Sequence, residues 1–320
     1  MNKLFAEIVE AETRIRPYTL VTPLIPSLVF SKQYGAEVYL KMESEQYTGS
    51  FKARGSMNKF LAQQKEIEEK GFIAASTGNH GQGVARAASL LGAQGTIYLP
   101  MNADKGKVQA IQNYGVDIQY HGSTSLDTEI FARAEAEEKG KVWISPYNDP
   151  YIVAGQGTVG IELLNQQPDL DVVFVTIGGG GLISGIATYL KEKNPHIKIV
   201  GCLPENSPEM ALAVKAGHHV TFPGTDTLSS ASAGGFEEDS ITFGICRNLV
   251  DSFVLVSETE IREAILSMLN AHHKVIEGAA AVALAAFLKT SAEYKGKNVG
   301  VVLSGANLST QLLQNILENK

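Results

Sequence analysis

Cysteine is almost missing from this chain. Only Cys202 and Cys246 occur, far apart and in no metal-ligand spacing, so both read as core thiols of a protein kept in a reducing compartment. Positive charge is also short. Twenty-seven Lys and Arg against 34 Asp and Glu leave a formal net charge of -7, with no basic block, which excludes a general binder of nucleic acid or anionic membrane. No apolar run is long enough to span a bilayer: the longest, Gly278 to Leu288, is short and rich in alanine. The stretch Met1 to Ile15 mixes acids, bases and apolar residues and has no secretory hydrophobic region. Repeats, low-complexity tracts and proline-rich linkers are missing too. A soluble cytoplasmic protein is the expectation.

What is present is an ordinary globular composition, 44% hydrophobic and 19% charged over 320 residues. That length exceeds a typical domain and predicts two lobes, with the chain crossing between them more than once. Short β-branched runs alternate with amphipathic stretches. The runs are Val38–Lys41, Phe72–Ala75, Thr96–Leu99, Asp117–Tyr120, Val142–Ile144, Val172–Ile177, Ile197–Cys202, Phe253–Val256 and Val299–Leu303. Helical patterns between them include Gly83–Leu91, Lys107–Tyr114, Thr128–Glu138, Leu182–Lys193 and Glu258–His272. This alternation predicts an α/β protein whose mostly parallel twisted sheets carry helices on both faces. In such sheets ligands bind at loops beyond the carboxyl ends of strands.

Three segments carry chemistry. In Gly49-Ser50-Phe51-Lys52-Ala53-Arg54-Gly55 a lysine follows a turn, stands beside an aromatic ring and opens a helix. A lysine forms imines well only where its amine is partly desolvated or sits in a cationic or dipolar field, and a helix start supplies one. A surface lysine in a first helical turn is the plain alternative. In Ser76-Thr77-Gly78-Asn79-His80-Gly81 four polar side chains crowd five positions between a strand and a helix. One hydroxyl suffices to cap a helix, so the surplus points to a carboxylate ligand. The third segment, Gly178-Gly179-Gly180-Gly181, also joins a strand to a helix. Four glycines cost entropy on ordering, and a backbone nest around a phosphate offsets that cost. The dinucleotide pattern fails, because its last position falls on Ile183 or Ser184, and no Gly-Lys-Ser/Thr follows. A phosphate monoester cofactor fits better. Together the three segments suggest pyridoxal phosphate acting on an amino acid.

These segments, with Ser304-Gly305-Ala306-Asn307 after the last strand, resemble the signatures of the serine/threonine dehydratase and serine racemase family, pyridoxal-phosphate enzymes of fold type II similar to the tryptophan synthase β chain. The resemblance runs in order through almost the whole chain. It implies a large cofactor-binding lobe of residues 1–68 and 148–320 and a small mobile lobe of residues 69–147. It implies that Lys52 carries the cofactor and later moves the Cα proton. Phe51, Asn79, Gly178, Gly179, Gly180, Gly181 and Ser304 would complete the cofactor site, Asn79 at the ring oxygen and Ser304 at the ring nitrogen. Ser76, Thr77, Asn79 and His80 would surround the substrate carboxylate, with Asn148 near the mouth. Glu277 would approach the ring, a helix-surface carboxylate being the alternative. The implied reaction removes the β-hydroxyl of L-threonine, L-serine or a related 3-hydroxy amino acid, giving a 2-oxo acid and ammonia. A homodimer is implied as well.

Departures from the pattern matter. Racemases of the family place serine where this chain has Thr77 and many dehydratases place alanine, so a racemase acting through Thr77 as a second acid–base residue is the first alternative. Leu203 stands where the family's metal site has a glutamate, beside matching Ser207 and Glu209, and no metal is expected. Thr227-Leu228-Ser229-Ser230-Ala231 replaces the family's Thr-x-Ala-Asp-Gly at the pocket edge. The chain ends soon after Ser304, leaving no room for a regulatory domain, and feedback by isoleucine is not expected. A β-replacement enzyme and a non-catalytic cofactor-binding protein are further rivals. Elsewhere, His80 reads as a loop organiser, His272 and His273 as structural because neighbours on a helix point about 100° apart, and Trp143 as core.

Overall fold

The computed structural model describes residues 3–318. Among the described residues, ten strands build two sheets. They are β1 (Leu24–Pro26), β2 (Glu37–Lys41), β3 (Phe72–Ala75), β4 (Gly95–Leu99), β5 (Asp117–Tyr120), β6 (Val142–Trp143), β7 (Val172–Thr176), β8 (Lys198–Pro204), β9 (Ser252–Val256) and β10 (Asn298–Val302). One sheet has the order β1-β2-β10-β7-β8-β9, the other β5-β4-β3-β6. Every pairing is parallel except β1 with β2.

The parallel strands are apolar on both faces because helices cover both. In β7, Val172 and Phe174 enter one core with Val200, Cys202 and Phe287, while Val173 and Val175 enter the opposite one with Ile183, Ile186 and Ile199. The smaller sheet divides likewise: Phe72, Ala74, Ile97 and Leu99 face one way, Ile73, Ala75 and Tyr98 the other. Met57 and Phe60, from the helix Lys52–Ala62, pack into the core of the smaller sheet with Phe72 and Val84. The alanine-rich helix Gly278–Thr290 lies against β7, β8, β9 and β10. Its small side chains allow this close burial, so the longest apolar run is a core helix. Among the described residues, no helix is long and apolar enough to cross a membrane.

The observed strands follow the expected ones to within two residues at the ends, with one addition. β1 follows Pro23, ends on Pro26 and spans three residues. That is too short for a two-residue alternation to show, and proline belongs at sheet edges. Trp143 is half-buried against the Ile73–Ala75 face rather than sunk in the core. The helix expected from Gly83 starts four residues sooner, as Asn79–Leu91.

Strand order sets the site. In the larger sheet the chain runs outward from β7 through β8 to β9, and β10 returns on the other flank of β7. In the smaller sheet it runs outward from β3 through β4 to β5, and β6 returns beside β3. Each reversal opens a crevice beyond the strands' carboxyl ends. One crevice is formed by Gly178–Gly181 and Ser304, the other by Ser76–His80 and Pro146. Both open onto one cavity of about 530 Å³.

Candidate active site

Lys52 stands where the two crevices meet. An isolated antiparallel bridge joins Ser50 to Gly305, and the Phe51 amide donates to the Ser304 carbonyl at 3.1 Å. The start of the helix Lys52–Ala62 is thereby fixed under the end of β10. The Lys52 amine donates to the Pro146 carbonyl at 2.6 Å and lies 5.3 Å from the centre of the Phe51 ring. Burial pushes its pKa down to about 8, against the opposing pull of Glu129 and Glu277. The plain alternative of a solvated surface lysine is therefore excluded.

Behind Lys52, Arg54 is fully buried and forks onto two carboxylates. Its Nε and Nη2 donate to Glu43 at 2.7 Å each, and its Nη1 and Nη2 to Glu162 at 2.8 and 2.9 Å. Lys41 donates to Glu162 at 2.6 Å. Burial alone would raise the Glu162 pKa, but Arg54 and Lys41 overcome it and hold the group at about 2. The helix bearing Lys52 is thus anchored by charge two residues beyond the amine.

The polar loop caps nothing with its hydroxyls. Ser76 Oγ accepts from the Gly78 amide at 3.1 Å, and Gly78, not Ser76 or Thr77, sits at the helix cap with no side-chain bond. Within the described residues the amides of Asn79, His80 and Gly81 donate no hydrogen bond, which leaves them available to an anion. Thr77 lines the cavity. Asn79 is buried; its Nδ2 donates to Glu277 at 2.7 Å and its Oδ1 accepts from Asn307 at 2.5 Å. Glu277 is also buried. Burial lifts its pKa to about 7, and the bonds from Asn79 and from the Asn307 backbone only partly offset that rise. The alternative of a helix-surface carboxylate is excluded too. His80 donates through Nε2 to the Ile144 carbonyl at 2.9 Å, and burial and Lys52 push its pKa down to about 3. It is a neutral brace between the loop and β6, not a general base.

The glycine loop leaves Thr176 and ends as the first residue of the helix Gly181–Lys193. A Cβ on Gly179 would lie 2.4 Å from the Tyr147 ring, and Gly180 has φ +86°, so side chains are barred. The amides of Gly178, Gly179, Gly180 and Gly181 donate no hydrogen bond within the described residues, and the four glycines line the same cavity as Lys52 and Ser304.

The model of the family described as pyridoxal-phosphate dependent enzyme matches residues 15–305. The chain belongs to that family. L-threonine ammonia-lyase of Thermotoga maritima is 39% identical over 311 residues, covering 97% of this chain and 77% of the relative. Among solved structures, the processed form of threonine deaminase isoform 2 from Solanum lycopersicum superposes with a TM-score of 0.93 at 33% identity, over 99% of this chain and 93% of that one. Maize serine racemase superposes with a TM-score of 0.91, also at 33% identity, over 98% and 96% of the two chains.

The residues present fit the cofactor of a pyridoxal-phosphate dependent enzyme. A half-buried amine of lowered pKa is poised to form an imine, and four unspent amides at a helix start suit a phosphate. Ser304, buried just beyond β10, adds a hydroxyl to the same cavity. Of the residues read as site-forming, Phe51, Lys52, Ser76, Thr77, Asn79, His80, the four glycines and Ser304 all line this cavity. Asn148 does not. Its Nδ2 is turned onto the Glu237 carboxylate, and its Oδ1 accepts from the Ile241 amide at 3.0 Å, beside the cavity-lining Tyr147 and Glu237. Leu203 is buried in β8, and the Ser207 hydroxyl donates to Glu209 at 2.7 Å. Ser230 and Ala231 border the cavity. His272 bonds Ser27 Oγ at 2.7 Å and His273 closes its helix in the left-handed region. Sequence reasoning missed Glu129, Gln156 and Glu237 as cavity-lining groups, and none stands in a local pattern that would have marked it.

Proposed function

We propose that this chain is a pyridoxal-phosphate-dependent ammonia-lyase that removes the β-hydroxyl of L-threonine, L-serine or a related 3-hydroxy amino acid as water, yielding a 2-oxo acid and ammonia. The observation that carries the proposal is the half-buried Lys52 amine, with its pKa near 8, in one cavity with two sets of unspent anion-binding amides. The relatives named above act under the names threonine ammonia-lyase and threonine deaminase. The cofactor, held by Lys52, Phe51, Asn79, Gly178–Gly181 and Ser304, supplies an electron sink for the charge left at the substrate's Cα. Ser76, Thr77, Asn79 and His80, with the amides of their loop, orient the substrate carboxylate. Lys52 Nζ, neutral in a useful fraction near pH 8, takes the Cα proton. Thr77 presents a hydroxyl to the same cavity, which keeps amino-acid racemisation as a second reading.

Residues 69–147 would act as a mobile lobe closing on residues 1–68 and 148–320 and shutting out water. The separate sheet β5-β4-β3-β6, which lies inside that segment, supports this reading. A homodimer in the cytoplasm completes the proposal.

The test is incubation of the holoenzyme with L-serine, L-threonine and threo-3-hydroxyaspartate in separate reactions, each followed for 2-oxo acid and for enantiomer composition. Oxo acid without the opposite enantiomer supports the lyase and names its substrate. The opposite enantiomer with little oxo acid moves the assignment to a racemase. Lys52→Ala is expected to abolish both the cofactor's visible absorbance and turnover, and full activity in that variant would overturn the reading.

A further inference from the structure

The helix Ser125–Glu138 contributes Ser125, Leu126, Thr128 and Glu129 to one wall of the cavity. Its principal packing is on β3, β4 and β6 of its own sheet. Within the described residues, one hydrogen-bonded or ion-paired contact ties it to the larger sheet's side: Arg133 Nη1 lies 3.1 Å from Glu237 Oε2. Glu237 is unusual for a half-buried carboxylate at a cavity rim, because its other bonds also go to parts that shape the cavity. Its carboxylate accepts from Asn148 Nδ2, and its amide donates to the Tyr147 hydroxyl at 2.7 Å. The Tyr147 ring is the surface pressed on Gly179, and the Gly179 carbonyl accepts from Thr242 Oγ1 at 2.6 Å.

We infer that Glu237 is a positioning residue. It latches the wall helix of the smaller sheet to the strap of residues 236–242 that backs the glycine loop, and so holds the mouth closed over bound substrate. This inference rests on the lyase reading and adds to it a device for closure. An ion pair this exposed contributes little to global stability. It bears instead on the small free-energy difference between a shut and an open mouth, where a single contact weighs most. Asn148, braced by the Ile241 amide, keeps the carboxylate aimed at Arg133. That gives this residue a task outside the cavity.

The experiment is a double-mutant cycle of Arg133→Gln and Glu237→Gln in the holoenzyme. Gln at 237 can still accept from Asn148, so the strap keeps its fold while the ion pair is lost. Each single variant is expected to raise KM for the amino acid turned over by roughly two- to five-fold, more than it lowers kcat, and the double variant to be no worse than the worse single. Amide hydrogen exchange is expected to quicken in residues 125–133 and in 236–242 together, whichever side is altered. Effects on KM that multiply, an unchanged KM in both singles, or exchange quickened only on the altered side would overturn the latch. If the unaltered enzyme turns over no hydroxy amino acid, the lyase reading fails, and the exchange experiment alone still decides whether the two segments are coupled.

Discussion

Two ionisable groups in the cavity are held away from their ordinary ranges in opposite senses, and both senses follow from burial. Lys52 loses affinity for its proton and Glu277 gains it, since a low-dielectric site disfavours either charge. For Lys52 the neutral amine becomes abundant as pH rises through about 8. The rate at which the cofactor-free protein takes up pyridoxal phosphate, followed by its visible absorbance, is therefore expected to climb through that range and level off above it. A rate flat from pH 7 to 9 would contradict the desolvated amine. For Glu277 the folded pKa of about 7 lies above the usual 4.5, so between those values the folded chain holds a proton that the unfolded chain has lost. Stability from this group falls as pH rises through the window, and the cost is complete above 7. Glu277→Gln keeps an acceptor for Asn79 and removes the charge. It is expected to stabilise the cofactor-free protein by roughly 1 to 3 kcal/mol at pH 8 and by little at pH 4.5, as measured by urea unfolding. A gain equal at both pH values would show that the carboxylate carries no such cost.

At the scale of elements, the placement of Lys52 depends on helices that approach more closely than side chains permit. The helix Pro150–Gln166 lies between Lys52–Ala62 on one flank and Gly181–Lys193 on the other. A Cβ on Gly155 would lie 2.7 Å from Gly55 Cα and 2.8 Å from the Arg54 carbonyl, and one on Gly185 would lie 2.4 Å from the Val153 carbonyl. The obstacles are backbone atoms, which cannot turn aside. Gly155→Ala is expected to cost about 2 kcal/mol or more in chemical denaturation. Gly244, inside the helix Ile241–Leu249, has nothing within 4 Å of its would-be Cβ and no left-handed φ. The same substitution there is expected to stabilise by about 0.5–1 kcal/mol. Opposite signs from one chemical change are the check on close approach as the cause. These contacts also mark a limit of sequence reading. Strands and the cofactor segments were legible because each is a local pattern: β-branched runs, a polar loop, four glycines in a row. Gly155 and Gly185 belong to no such pattern, since their meaning lies in helices about 30 to 100 residues away. Glu129, Gln156 and Glu237 escaped for the same reason, and only the fold shows Asn148 turned toward Glu237.

For the molecule as a whole, alternating elements announced two α/β lobes, but the return of β10 beside β7 and of β6 beside β3 is written nowhere in the local sequence, and those two reversals make the cavity. The helix that presents Lys52 to that cavity is seated by the buried cluster of Arg54, Glu43, Glu162 and Lys41, drawn from two helices, β2 and the turn after it. A buried pair contributes little beyond what a well-packed apolar substitute would, yet removing one partner strands the other's charge. Arg54→Met leaves Glu43 and Glu162 without their shared guanidinium and is expected to cost about 3–5 kcal/mol. The pH dependence separates this cause from lost packing. Glu162 has a folded pKa of about 2 against the usual 4.5, so its contribution is whole above 4.5 and drains away as pH falls toward 2. Without Arg54 the carboxylate gives up most of that depression, and the variant's deficit is expected to be largest at neutral pH and to shrink as the solution is acidified through this window. Unfolding curves of both proteins at pH 7, 4.5 and 3 measure it. A deficit that stays constant across the three would mean that Arg54 serves by filling space, and that the lysine-bearing helix is seated by packing instead of charge.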